Sequence, residues 1–145
     1  MLKLSKKADY ALIALRHLAK HYGEGSASAS DIADSYRISA PLMAKVLQRL
    51  ARHGLVVARH GANGGYTLAR DPAAISALEA ISAIDGPLSI TGCFTSHGEC
   101  DALSTCTVRE PLRRVNDTIL QVLSKVTLSE ICDEPHANAI VELRA

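Results

Sequence analysis

The chain has 145 residues, 48% of them hydrophobic and 21% charged, enough to bury one core and too few for several large domains. No stretch reaches the roughly 18 consecutive apolar residues of a membrane span, and Met1-Leu2-Lys3-Leu4-Ser5-Lys6-Lys7 lacks the apolar core of a signal peptide, so a cytoplasmic protein is expected. The net charge of +1 conceals eleven Lys/Arg against four acids in residues 1–70 and five against eleven in residues 71–145, a basic half that suits a polyanion and an acidic half that does not.

Ser5 is placed to cap a first helix that runs to about Tyr22. Ala11, Leu12, Leu15, Leu18 and Ala19 recur along it at three- and four-residue spacing, which predicts one buried face. Gly23-Glu24-Gly25 ends it. Ser28 or Ser30 then caps a short helix through Tyr36, and Ser28 with Asp31 has the spacing of a capping box. Ser39, followed by Pro41, opens a third helix that ends near His53 and Gly54. Val46, Leu47 and Leu50 point inward there, while Met43, Lys45, Gln48, Arg49 and Arg52 are expected on the other faces. This is the pattern of a helix-turn-helix.

Two β-rich runs follow, Leu55–Arg59 and Tyr66–Arg70, around the Gly/Asn-rich tip His60-Gly61-Ala62-Asn63-Gly64-Gly65. A basic hairpin directly after a helix-turn-helix predicts a winged helix bound to double-stranded operator DNA. Ser39, Ala40, Met43 and Lys45 near the recognition-helix start, with Arg59, His60 and Asn63 in the wing, are the candidate contacts. No phosphate-binding glycine loop and no nucleophile–base motif is present, so neither an enzyme nor a small-molecule substrate is expected.

Asp71-Pro72 breaks the chain, and Ser76 with Glu79 caps a helix through Ile84, its core face read as Leu78, Ile81 and Ile84. The next segment carries Cys93, Cys100 and Cys106, with six and five residues between them and neither helical nor strand periodicity. Three soft thiolates in one loop suit an iron–sulfur cluster or another soft metal. Val108, Leu112, Val115, Ile119, Val122 and Val126 then follow at spacings of 4, 3, 4, 3 and 4, a heptad seam that predicts a dimerisation helix and a homodimer. Thr127 and Glu130 cap a last short helix holding Cys132, expected to be a plain thiol. The fold class is therefore mainly α. A winged helix-turn-helix domain (residues 1–72) leads through a connecting helix and cysteine loop (73–106) to a dimerisation helix and tail (107–145).

The chain closely resembles the IscR/NsrR family of bacterial iron–sulfur regulators, the Rrf-two superfamily, over nearly its whole length. The resemblance rests on Leu4-Ser5-Lys6-x-x-Asp9-Tyr10-Ala11-Leu12, the wing signature Gly61-x-x-Gly64-Gly65-Tyr66, the three-cysteine loop and Thr127-Leu128-x-Glu130. Glu99-Cys100, Cys106-x-Val108-Arg109 and Arg114-Val115-Asn116 are most similar to regulators of the SUF iron–sulfur assembly operon. What the resemblance implies is a homodimeric repressor that senses cluster status, iron or oxidative stress, with Cys93, Cys100 and Cys106 holding the cluster, [2Fe–2S] ahead of [4Fe–4S].

In one branch of the family a histidine three residues after the last cysteine completes the site. Here that position is Arg109, which cannot ligate a metal. Asp9 matches the aspartate of the other branch, supplied by the partner subunit, and is the expected fourth ligand, with His97, Glu99, His136 and an exogenous thiol as rivals. His60 stands where the family's minor-groove arginine is usual, and Arg59 precedes it. A nitric-oxide-sensing repressor of the same family is the alternative function, as is a regulator whose cysteines form a thiol switch or a zinc site.

Overall fold

A computed structural model describes residues 3–95, 98 and 100–133. It contains α1 (Lys6–Lys20), α2 (Ala29–Tyr36), α3 (Ala40–Arg52), β1 (Val56–Arg59), β2 (Gly65–Leu68), α4 (Ala77–Asp85), α5 (Arg109–Lys125) and α6 (Leu128–Cys132), with short 3₁₀ turns at Pro72–Ala74 and Gly92–Phe94. The mainly helical winged-helix fold is as the sequence predicts. His97, Glu99 and His136 lie outside the described residues.

Local chemistry sets most boundaries. Ser28/Asp31, Ser76/Glu79 and Thr127/Glu130 form complete capping boxes at the starts of α2, α4 and α6, each satisfying two otherwise orphaned amides. The Ser5 hydroxyl accepts from the Ala8 amide at 3.1 Å and starts α1. The tight turn from α2 to α3 places Arg37 in the left-handed region at φ 54°, and the Ile38 amide donates back to the Ala33 carbonyl at 2.9 Å.

The core gathers α1, α2 and α3 with the base of the hairpin, and it extends into α4 and α6. Leu15, Ile32, Met43, Leu47, Leu50, Leu55, Ile75, Ile81 and Leu128 are fully buried. The buried stripe of α1 is Ala8, Ala11, Ala14, Leu15 and Leu18, and three alanines let neighbouring helices approach closely. Leu12 and Leu78, expected in the core, are only half-buried. Alanines at 8, 14, 77, 80 and 83 take the innermost places instead. The amides of Ala77 and Leu128 donate to the carbonyls of Val126 and Ile75 at 2.8 and 2.9 Å, which joins the starts of α4 and α6.

β1 and β2 pair antiparallel, Val56 opposite Leu68 and Arg59 opposite Gly65. Each strand is one residue shorter than expected, β2 starts one residue earlier, and the Ala69 amide donates to the Leu55 carbonyl at 3.1 Å. The hairpin gains a third row because Ala27, between α1 and α2, exchanges both backbone hydrogen bonds with Tyr66 at 3.1 and 2.8 Å. That pairing brings the Ala27 carbonyl so near Gly65 (φ 153°) that a Cβ there would sit 2.5 Å from it. Gly65→Ala is therefore expected to lower the stability by about 1–3 kcal/mol, read as a lower denaturant midpoint.

α5 is amphipathic in a divided way. Leu112, Ile119 and Val126 are half-buried towards the body of the domain, while Val108, Val115 and Val122 are 56, 49 and 56% exposed. One heptad position of the predicted seam thus faces inward and the other outward. Asn116, 8% exposed, accepts from the Ile90 amide at 3.1 Å and fixes α5 against the chain entering the cysteine loop.

Candidate nucleic-acid interface and cysteine loop

The recognition helix α3 shows its outer face through Lys45, Gln48 and Arg52, all exposed. These residues, with Lys7, Leu42, Val46, Arg49 and Ile84, line a cleft of about 220 Å³ that carries four cationic side chains and no acid. Lys7 projects from the first turn of α1, so two helices supply the charge. The Arg49 Nε donates to the Ala83 carbonyl at 3.0 Å, tying the recognition helix to the last turn of α4. Such a basic surface is suited to phosphate contacts, which position a duplex without reading its sequence. Lys7, Arg49 and Arg52 were absent from the predicted DNA set, although the 45, 49, 52 spacing places three cations along one helical flank.

Ser39 is exposed at the start of α3 and makes no side-chain capping bond, leaving its hydroxyl for another partner. Ala40 is half-buried beside it. Met43 requires correction. It is fully buried with Val46, Leu47 and Leu50, because positions 43, 46, 47 and 50 form one helical stripe. Its side chain belongs to the core and not to the interface.

In the wing, Arg59 and His60 are exposed at the end of β1, and Asn63 is exposed at the tip. Arg59 lines a groove of about 300 Å³ with Leu18, His21, Tyr22 and Thr67, on the side of the hairpin facing the end of α1. The Asn63 carbonyl accepts from the Ser26 hydroxyl at 2.6 Å, which tethers the tip while leaving the amide side chain free to point outward.

The cysteine loop leaves α4 at Gly86 and Pro87. Asp85, the last residue of α4, accepts from the Ser5 amide at 3.0 Å and from the Ser5 hydroxyl, fastening the loop's origin to the start of α1. One turn on, Asp9 is half-buried and lines a cleft of about 700 Å³ with Lys3, Lys6, Asp85, Leu88 and Ser89. The predicted fourth ligand therefore borders the segment that leads to the cysteines. Cys93 sits in the 3₁₀ turn, its Sγ 3.0 Å from the Thr91 hydroxyl. The chain doubles back so closely that a Cβ on Gly98 would overlap the Gly92 carbonyl.

Cys93 and Cys106 are half-buried, Cys100 is exposed, and all are free thiols. Among the described residues no three His, Cys, Asp or Glu side chains are grouped closely enough to hold a metal ion, so a single chain does not bring Cys93, Cys100, Cys106 and Asp9 together. The donor chemistry nevertheless fits an iron–sulfur cluster: three thiols free of disulfides, on a segment whose described residues form no α-helix or strand. Cys132 differs. Burial pushes its thiol up, against the Arg16 and Lys20 charges, and its Sγ donates to the Arg16 carbonyl at 3.7 Å.

Comparison with known proteins settles the class. The family model described as Rrf2, iron-dependent transcriptional regulator, matches residues 4–134. This chain belongs to the Rrf2 family. The HTH-type transcriptional regulator IscR of Xenorhabdus nematophila is 32% identical over 130 residues, covering 90% of this chain and 79% of the relative. Among solved structures, CymR, the global cysteine regulator of B. subtilis, is 34% identical with a TM-score of 0.76, covering 91% of this chain and 97% of CymR. T. potens IscR is 31% identical with a TM-score of 0.71, covering 90% and 85%. An Rrf2 protein is a DNA-binding transcriptional regulator and not an enzyme. No helix among the described residues is long and apolar enough to cross a membrane.

Two outcomes follow. Alanine at Lys45 or Arg52 is expected to weaken operator binding and to reduce the slope of log affinity against log salt by about one per lost phosphate contact; an unchanged slope removes that residue from the interface. In a timed alkylation, Cys132 is expected to label far more slowly than Cys100 because of its burial and raised thiol pKa.

Proposed function

We propose that this Rrf2 protein is a cytoplasmic, homodimeric repressor of iron–sulfur assembly genes whose operator affinity depends on a cluster held by Cys93, Cys100 and Cys106, with Asp9 of the second subunit as fourth ligand. The single observation that carries the reading is the placement of three free thiols on the segment between α4, bonded to both α1 and α3, and α5, whose outer valines are exposed. A bound cluster supplies a crosslink between thiolates that oxygen, nitric oxide or iron loss can break.

The protein's own residues would convert that crosslink into a change of DNA affinity. Drawing the three thiolates together would fix the segment that carries them, and Asn116, which accepts from the Ile90 amide at the entry of that segment, would pass the constraint to α5. Asp85 carries it to the start of α1, and Arg49 from α4 to the recognition helix. The valine stripe of α5 gives the second subunit an apolar seat, and burial of large exposed valines favours the pairing. A ligand shifts such an equilibrium only by binding one arrangement better than the other. Asp9 of one subunit, on the first turn of α1, would select a particular spacing of the two recognition helices. A [2Fe–2S] cluster is the form proposed.

Similarity to Staphylococcus aureus CymR, whose structure has been solved in an oxidized form, favours a second reading, in which the same cysteines act as a thiol switch. Colour separates the two. After anaerobic reconstitution, the first reading expects strong visible absorption with matching iron and sulfide, lost in Cys93→Ser, Cys100→Ser and Cys106→Ser and weakened in Asp9→Ala. It also expects loaded and apo dimers to differ in operator affinity. A colourless protein, or equal affinity of both forms, overturns it.

A further inference from the structure

The C-terminal turn of α1 reads His17-Leu18-Ala19-Lys20-His21. Residues four apart share one helix face, and the two imidazole centroids lie 4.9 Å apart with their planes inclined by 49°. Each ring has its Nδ1 engaged, His17 with the Tyr36 hydroxyl at 3.2 Å and His21 with the Glu24 carboxylate at 2.9 Å. An ionised carboxylate only accepts, so the His21 Nδ1 carries the proton. In the neutral ring its Nε2 then keeps a bare lone pair. The Tyr36 hydroxyl can accept from His17 in the same way. A ring N–H on a carboxylate or hydroxyl, with the opposite nitrogen free, is the arrangement in which histidine ligates a metal. Burial lowers the His17 pKa, the nearby His21 adds to this and Asp31 opposes it, a direction that favours the neutral ring. Both rings border a cleft of about 200 Å³ shared with Glu24, Gly25, Ser26 and Ala27.

We propose that His17 and His21 form a second metal site, a two-imidazole chelate through their Nε2 atoms for a borderline divalent ion such as Zn²⁺ or Ni²⁺. Two imidazoles suit such ions, while magnesium and calcium prefer all-oxygen shells. Water completes the coordination sphere, and Glu24 orients His21 from behind. The site is separate from the proposed cluster: His17 lies eight residues after Asp9 on the same helix, about 12 Å along its axis, and no cysteine borders its cleft.

Its position gives it a task. Tyr36 ends α2 at the turn into the recognition helix, while Ser26 and Ala27 hold the wing through Asn63 and Tyr66. A metal bound at Nε2 fixes both rings with Nδ1 protonated, as donors to Tyr36 and Glu24. The end of α1, the turn of the helix-turn-helix and the wing tether are then stiffened together.

Zinc titration of the full chain with Cys93, Cys100, Cys106 and Cys132 replaced by Ser, which removes every competing thiolate, tests this. One saturable Zn²⁺ per chain is expected. His17→Gln or His21→Gln should lower the affinity by more than about tenfold, and Glu24→Gln by about ten- to a hundredfold. In the same protein without these substitutions, the imidazole nitrogen resonances of His17 and His21 should move on zinc addition to the pattern of metal at Nε2 and hydrogen at Nδ1. Absence of saturable binding, binding indifferent to both His→Gln changes, or resonances of His17 and His21 unmoved by zinc would each overturn the proposal.

Discussion

The last turn of α4 is the constraint on which the arrangement of the molecule depends. Within three residues it accepts from Arg49 of the recognition helix through the Ala83 carbonyl and grips the start of α1 through Asp85. It then ends where Gly86 takes φ 78° and releases the chain into the cysteine loop. Each hydrogen bond contributes only about 0.5–1.5 kcal/mol, and up to about 3 kcal/mol where a charged group takes part. Their importance is geometric. The two ends of the DNA-binding domain and the origin of the loop share one short rigid segment, which also places Ile81 and Ile84 in the core. A displacement of the loop's root cannot be absorbed locally without disturbing α1 or α3.

Much of this was legible in the sequence because it was local. Three capping boxes, the Ser5 cap and the heptad spacing of α5 are short-range signals, and each produced the expected element. Long-range facts were not legible. Nothing in Ala27 announces that it will pair with Tyr66, nor in Arg49 that it will reach Ala83. Met43 shows a different failure. The inward stripe was drawn through Val46, Leu47 and Leu50 and stopped one turn short, although Met43 lies on the same line. The cysteine segment has no periodicity, so its residue types suggest a chemistry while its spacing says nothing of how the thiols are arranged in space.

The relatives share this framework although they are regulators of different names. CymR, described as a global cysteine regulator, and IscR match this chain at similar identity and TM-score. The winged helix and α5 are therefore generic, and what distinguishes one regulator from another must reside in side chains placed on them. In this chain the side chains that we propose for that role are the three loop cysteines and Asp9 on α1.

The tethering of the hairpin has a further consequence. A two-stranded ribbon is marginally stable in water, yet this one is held at Tyr66 by Ala27, at its tip by Ser26 and at its base by Leu55. Its conformational entropy is thus surrendered when the domain folds, not when it meets a duplex. Preorganisation of this kind leaves more of the contact energy as net affinity. If the wing meets the duplex as proposed, its fixed angle would favour grooves that already have the matching width over those that must be deformed to meet it.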